Sequence, residues 1–308
     1  MKTDRTLAAA GLILVYAMVI GCTDNFVRII AAEAGLWQFH LTRALMALTI
    51  LGLLSIPLGL RLRPLRPVAV LGRSAIHGLA MMIYFGALAF LDVALVAAGL
   101  FTAPIWVLLI ARFVYGHHIG PARIGAVAIG FAGVILVLGP EAMRGASLPA
   151  LLPVIAGLFY AIGNIATREW CADESAGAML AGFFVVLGLI GAIGLVALWI
   201  HPLQAPAGTD GFLQRGAVWP STGFVFWTFV QACGSLFGVG MMIRAYQLTT
   251  ASKASVLEYV ILPASAFWTW VLWGTGLKPI AALGMVLIVI AGAMIALRTR
   301  ESEAPNEG

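Results

Sequence analysis

Charge is what this chain has least of: only 10% of its 308 residues are Asp, Glu, Lys or Arg. A soluble fold of this length cannot cover its surface with so few ionised groups. Cysteine is equally sparse. Cys22, Cys171 and Cys233 are odd in number and scattered without CxxC spacing, which argues against a disulfide framework and a metal site. There is no GxxxxGK[ST] loop to cradle a nucleotide, and no HExxH, GxGD or GxSxG to arm an intramembrane hydrolase. Neither ATP nor a soluble cofactor is implied. His117 and His118 adjoin each other in a short loop with no carboxylate near in sequence, so they read as a solvated pair.

What is abundant is apolar surface, at 62% of residues and a mean hydropathy of +1.02. A span needs about 20 apolar residues to cross about 30 Å of hydrocarbon. Ten such segments are expected, near residues 7–30, 36–60, 68–91, 93–115, 121–138, 148–168, 175–200, 222–248, 254–275 and 278–297. The first is too long for a signal peptide and carries Asp24, Asn25 and Arg28 where cleavage would fall, so it is expected to stay as a helix. The longest connection, His201 to Ser221, is rich in Pro and Gly and leaves no separate soluble domain.

Lys and Arg gather on one face of this ten-span arrangement, thirteen (among them Arg73, Arg244 and Lys253) against three (Arg144, Arg215 and Lys278). That bias places both termini in the cytoplasm. It also accounts for the net charge of +5 without nucleic acid, whose binding surfaces cluster their cations on one patch.

Proline organises the rest. Pro104 and Pro263 interrupt two apolar spans and stand 159 residues apart. Each lacks an N–H, so the carbonyls of Leu100 and Tyr259 lose their helical donor, which is costly in hydrocarbon unless protein, water or ligand lies against the break. The same offset relates Gly125, Ala132 and Gly133 to Gly284, Ala291 and Gly292, while Leu14, Tyr16 and Ala17 are echoed more loosely by Leu158, Tyr160 and Ala161. The glycines of these segments are read as close-packing positions. Five spans per copy is an odd number, so the second copy is expected to enter the membrane from the opposite side. The expected fold is an all-α membrane protein: ten transmembrane helices in two inverted repeats, 1–145 and 146–300, around a central cavity, with a short cytoplasmic tail at 301–308.

The two five-helix halves, the segment Gly21-Cys-Thr-Asp-Asn-Phe-Val27, the arginine-bearing Phe39-His-Leu-Thr-Arg-Ala-Leu45 and the helix leading to Pro104 resemble the drug/metabolite transporter superfamily of the EamA type. Within it the chain is most similar to exporters of aromatic amino acids. The resemblance covers residues 7–297. It implies a basket of ten helices in a bacterial inner membrane that passes amino acids out of the cytoplasm, aromatic or neutral ones such as phenylalanine, tryptophan, threonine or methionine. Export of other small amphipathic metabolites or drugs is the alternative; an intramembrane enzyme or a non-transporting receptor fits less well.

Ionisable groups inside spans mark functional sites by default, since burying one costs at least about 2.5 kcal/mol on insertion scales. Asp24 and Arg28, four apart, are expected to pair on one helix face and, with Arg43, to form a charge cluster that serves as a gate or meets substrate. His40 is read as interfacial and solvated. His77, Met81 and Tyr84 form one semi-polar stripe. Gly99, Thr102 and Trp106 share a face around the Pro104 break, Tyr160 and Asn164 lie one turn apart, and Trp227, Gln231 and Ser235 align. Glu258 is expected either to pair with Lys253 or Arg244 at the cytoplasmic mouth, or to be a site for a substrate ammonium or a proton. The expected substrate-binding set is His77, Tyr84, Trp106, Tyr160, Asn164, Gln231, Glu258 and Tyr259. A substrate ring would stack on Tyr84, Trp106 or Tyr160.

Overall fold

In the computed structural model, which describes residues 5–87, 91, 93–139, 149, 151–274 and 278–303, the chain is all helix apart from its connections. Ten segments are long and apolar enough to cross a membrane. They comprise α1 (Thr6–Asp24), α2 (Val27–Glu33), α3 (Leu36–Ser55), α4 (Pro67–Ala87), α5 (Val93–Leu100), α6 (Ala103–Phe113), α7 (Pro121–Leu138), α8 (Leu151–Glu169), α9 (Ala176–Ile200), α10 (Thr222–Leu248), α11 (Ala251–Leu257), α12 (Ile261–Trp273) and α13 (Pro279–Glu303). The last helix runs past Arg300 into the expected tail. The boundary between the expected repeats, at 145 and 146, and the residues Lys2 and Arg144 lie outside the described residues.

Among the described residues three spans are interrupted. The ninth passes from α11 through a 3-10 turn, Glu258–Val260, into α12, and Pro263 lies just beyond that turn. The fourth breaks at Phe101–Thr102, and Pro104 falls in the first turn of α6, where its missing N–H is no loss. The first span, expected as a single helix, breaks at Asn25–Phe26. There the Asn25 side chain turns back to donate to the Gly21 carbonyl at 2.6 Å, a local bond that competes with the helix ladder.

Polarity is distributed inside out relative to a soluble protein. Leu53 and Ile193 are each 69% exposed, and Val289 58%, on the outer surface. Meanwhile Arg73, Gln231, Tyr246 and Asn164 are enclosed. Hydrocarbon around the rim makes that arrangement the stable one, because polar groups then find partners only between helices.

Neighbouring helices follow a pattern that maps onto itself when the first span is exchanged with the sixth, the second with the seventh, and so on. The first span packs on the eighth as the third does on the sixth; the first on the ninth as the fourth on the sixth; the second on the eighth as the third on the seventh. The fifth and tenth pack on each other, as do the second and seventh. These equivalent spans run antiparallel: along α7 and α13, Gly125 faces Met294, Gly130 faces Ala291 and Gly133 faces Gly284. In the same sense Ala44 of α3 meets Gly188 of α9, while Trp37 meets Gly191. Glycine is required where the backbones touch. A β-carbon on Gly133 would lie 2.6 Å from the Gly284 carbonyl, and one on Gly284 2.5 Å from the Gly133 carbonyl.

Candidate functional site

The fourth and ninth spans break against each other and against α8. The Tyr259 hydroxyl donates to the Phe101 carbonyl at 3.3 Å, supplying one acceptor that the interrupted helix leaves open. Thr102 turns its own hydroxyl back to the Gly99 carbonyl at 2.6 Å. Gly157 of α8 lets this break approach: a β-carbon there would sit 2.7 Å from both the Gly99 carbonyl and the Thr102 hydroxyl. Tyr259 is fully enclosed and stands as a strut between the two interruptions. Tyr259→Phe is expected to leave the Phe101 carbonyl without its donor and to destabilise the chain by about 1–3 kcal/mol, read as a lower unfolding temperature of the purified protein; an unchanged temperature would mean that the carbonyl has another donor.

At the turn of the ninth span the Glu258 carboxylate, 7% exposed, gathers three donors. Tyr160 donates to Oε1 at 3.1 Å. Tyr246 donates to Oε2 at 3.0 Å, and the Asn164 amide reaches the same oxygen at 3.5 Å. Asn164 also donates to the Tyr246 hydroxyl at 2.9 Å, which closes the ring of bonds. Tyr16 of α1 lies beside Tyr160 and brings the first span to the same cluster. The expected pairing of Glu258 with Lys253 or Arg244 is not what forms. Among the described residues no cation bonds to this carboxylate, and Arg244 turns to the Gln247 side chain at 3.4 Å. A carboxylate that only accepts suits three converging donors.

His77 joins the cluster from α4, its ring 5.1 Å from that of Tyr160 and close over Gly163. The Asn164 side chain is its polar neighbour, and neither ring nitrogen makes a well-aligned hydrogen bond. The remainder of the expected set is spread more widely. Trp106 packs against the same core with its indole N–H unpartnered. Tyr84 sits farther along α4, edge-on to Phe85 at 5.2 Å. Gln231 donates to the Thr23 carbonyl at 2.8 Å and to Asp24 at 3.0 Å.

The expected Asp24–Arg28 pair does not form, because the helix ends between the two residues. Arg28 lies over the Trp273 ring, 3.6 Å from its centroid, and Phe26 stacks on Trp227 at 4.0 Å. Arg43 bonds to His40 at 3.0 Å and shares the electrostatic surroundings of Asp24. His40, expected to be solvated, is fully enclosed. Arg73, counted from sequence among the cytoplasmic-face cations, is enclosed as well, with Nε donating to Thr167 at 2.9 Å.

Sequence reasoning passed over Tyr246, Tyr16 and Arg73. Tyr246 and Arg73 lie toward the ends of their expected apolar segments, where an amphipathic side chain reads as interfacial, while Tyr16 lies at mid-span and stood out only as the echo of Tyr160. A cavity of about 270 Å³ lies at one end of the bundle, bounded by residues including Tyr115, His117, His118, Arg123 and Ser252. Glu169 borders it too, so the histidine pair does have a carboxylate nearby.

This architecture, of ten apolar spans with polar groups turned inward at broken helices, defines a multi-pass membrane protein. No family model matches the chain. Among curated proteins it is 26% identical over 273 residues to a riboflavin transporter of Rhizobium johnstonii, covering 86% of this chain and 80% of that protein. It is 24% identical over 222 residues to the pseudopaline exporter CntI of Pseudomonas aeruginosa, covering 72% of each. An uncharacterized transporter of Helicobacter pylori is 22% identical over 225 residues, 73% of this chain and 72% of that one. A solved crystal structure superposes with a TM-score of 0.72 at 18% identity, covering 97% of this chain and 100% of the other, and so shares the fold. These relatives are transporters and not enzymes, and they support a transporter role with a small-molecule substrate for this chain.

Proposed function

We propose that the chain is an EamA-type exporter in a bacterial inner membrane, both termini cytoplasmic, passing aromatic or neutral amino acids outward by alternating access. The two inverted repeats, 1–145 and 146–300, rock about the point where their interrupted helices meet. The observation that carries this reading is that meeting itself, the Tyr259 hydroxyl on the Phe101 carbonyl. Paired discontinuous helices at corresponding positions of two halves are where secondary transporters hold their substrates. The antiparallel run of equivalent spans supports the inversion.

In this mechanism the closely packed cluster of Tyr160, Asn164, Tyr246 and Glu258 opens as one half tilts. Glu258 then receives an ammonium in place of part of its hydroxyl cage, while Tyr160, Trp106 and Tyr84 offer ring faces. Asp24, Gln231 and Arg43 sit nearer the break of the first span and act at the outer gate. Riboflavin transport by one relative favours a second reading, other small amphipathic metabolites, at the same cluster.

Counter-flow into proteoliposomes tests both. Vesicles preloaded with phenylalanine are expected to accumulate labelled phenylalanine and tryptophan transiently, and protein-free vesicles are not. Accumulation of labelled riboflavin without any amino acid would select the second reading. Failure of every probe would remove the exporter proposal.

A further inference from the structure

Arg73 is the most deeply enclosed cation of the described residues, at 0% exposure. Its guanidinium carries five N–H donors, and only the one on Nε is used, on Thr167. Nη1 and Nη2 have no hydrogen-bond partner, and among the described residues no carboxylate pairs with them. On the facing sides of α4 and α8, His77 and the Asn164 side chain lie beside each other, and neither the ring nitrogens nor Asn164 Oδ1 makes a well-aligned hydrogen bond; Ser74 Oγ, also without a partner, lies against Gly182 of α9. All three residues are 3% exposed or less. A buried guanidinium left with open donors is strongly unfavourable unless something fills them during the working cycle. A planar fork of paired N–H groups matches a carboxylate, and matches it better than an ammonium group would.

The position of the fork fits a dipolar molecule. On α8, Tyr160, Asn164 and Thr167 occupy one face. Glu258 bonds to the first two, and Arg73 to the third. Thr167 lies three positions beyond Asn164, about 4.5 Å along the axis. An acidic and a basic side chain are therefore held on either side of Asn164 without pairing with each other.

We infer that Arg73, with His77 on the same face of α4, is the receptor for a carboxylate on the transported molecule, and that Glu258 across Asn164 receives a cationic group on the same molecule. This rests on the transport reading and narrows it: the favoured cargo carries a carboxylate, and a metabolite without one lacks the group that Arg73 is built to hold.

Thermal unfolding of the purified full chain in detergent, with simple probes, tests the site apart from flux. Benzoate and phenylalanine at millimolar concentration are expected to raise the unfolding temperature of the wild-type chain, whereas benzyl alcohol does not. Arg73→Gln is expected to abolish the benzoate response. Arg73→Lys, which keeps the charge but loses the fork, should weaken benzoate binding at least tenfold and covers the case in which the glutamine variant fails to fold. No benzoate response in the wild type, an equal response to benzyl alcohol, or an undiminished response in either variant would overturn the inference. A response to inorganic phosphate without one to benzoate would overturn the carboxylate assignment. Stabilisation by benzoate with no counter-flow of any probe would keep the carboxylate site and remove the transporter reading. Counter-flow of phenylalanine that survives intact in Arg73→Gln would do the opposite.

Discussion

Glu258→Gln is expected to cut counter-flow of phenylalanine by tenfold or more while leaving the unfolding temperature within a few degrees of wild type. The carboxylate accepts at Oε1 from Tyr160 and at Oε2 from Tyr246 and Asn164. Glutamine keeps one acceptor oxygen, and the two donors at the second position fix its orientation there. The amide nitrogen then faces Tyr160, which has an alternative acceptor, since its hydroxyl also lies 3.1 Å from the Met242 sulfur. Tyr160 can turn its hydrogen to that sulfur and accept from the amide, so the cage stays closed and the net cost is about that of one hydrogen bond, on the order of 1 kcal/mol. What disappears is the negative charge. Glu258→Leu is different: the Tyr246 and Asn164 donors are stranded in a dry interior at about 1–3 kcal/mol each, so stability and flux are expected to fall together. Flux in Glu258→Gln equal to wild type would reduce Glu258 to a hydrogen-bond acceptor that holds the helix break.

Gly133→Leu is expected to remove most of the folded protein, measured as monodisperse material after detergent extraction and as its unfolding temperature. The new β-carbon would press on the Gly284 carbonyl at 2.6 Å and the Ile288 side chain at 2.9 Å. Backbone cannot yield as a side-chain end does, so α7 and α13 must separate. Association in lipid depends on close van der Waals contact, so a widened seam loses it along its length. Overpacking of this kind costs about 1–3 kcal/mol or more. Gly52→Leu is the matched control: nothing stands within 4 Å of a β-carbon at Gly52. Equal yields from both variants would show that the α7–α13 seam is looser than these contacts imply.

Some parts of the site were legible because they depend on local chemistry alone. Pro104 and Pro263 cannot donate, so interruptions near them follow from covalent structure, although the fourth span breaks two residues ahead of its proline. Glu258, Tyr160 and Asn164 stood out because polar side chains are rare in hydrocarbon. The break at Asn25 was less visible: Asn and Asp lower helix propensity only mildly, and whether the chain turns there depends on Thr269 and Trp273, which bond to the Asn25 side-chain oxygen at 2.9 and 3.2 Å. Asp24 and Arg28 had the right spacing for a pair on an unbroken helix, and that break cancels it.

By itself the sequence determined the ten spans, the all-helical class and the two places where proline forbids a continuous ladder, because these follow from hydropathy, length and the absent N–H. Only the tertiary structure decided which helix face meets which. Arg73 lies near enough to a helix end to pass for a surface cation, yet α8 closes over it; Tyr246 and Tyr16 likewise become part of the Glu258 cluster only when α10 and α1 pack there. The reason is physical: in a membrane the burial of a side chain is fixed by contacts between helices far apart in the chain, and neither periodicity nor composition specifies those partners.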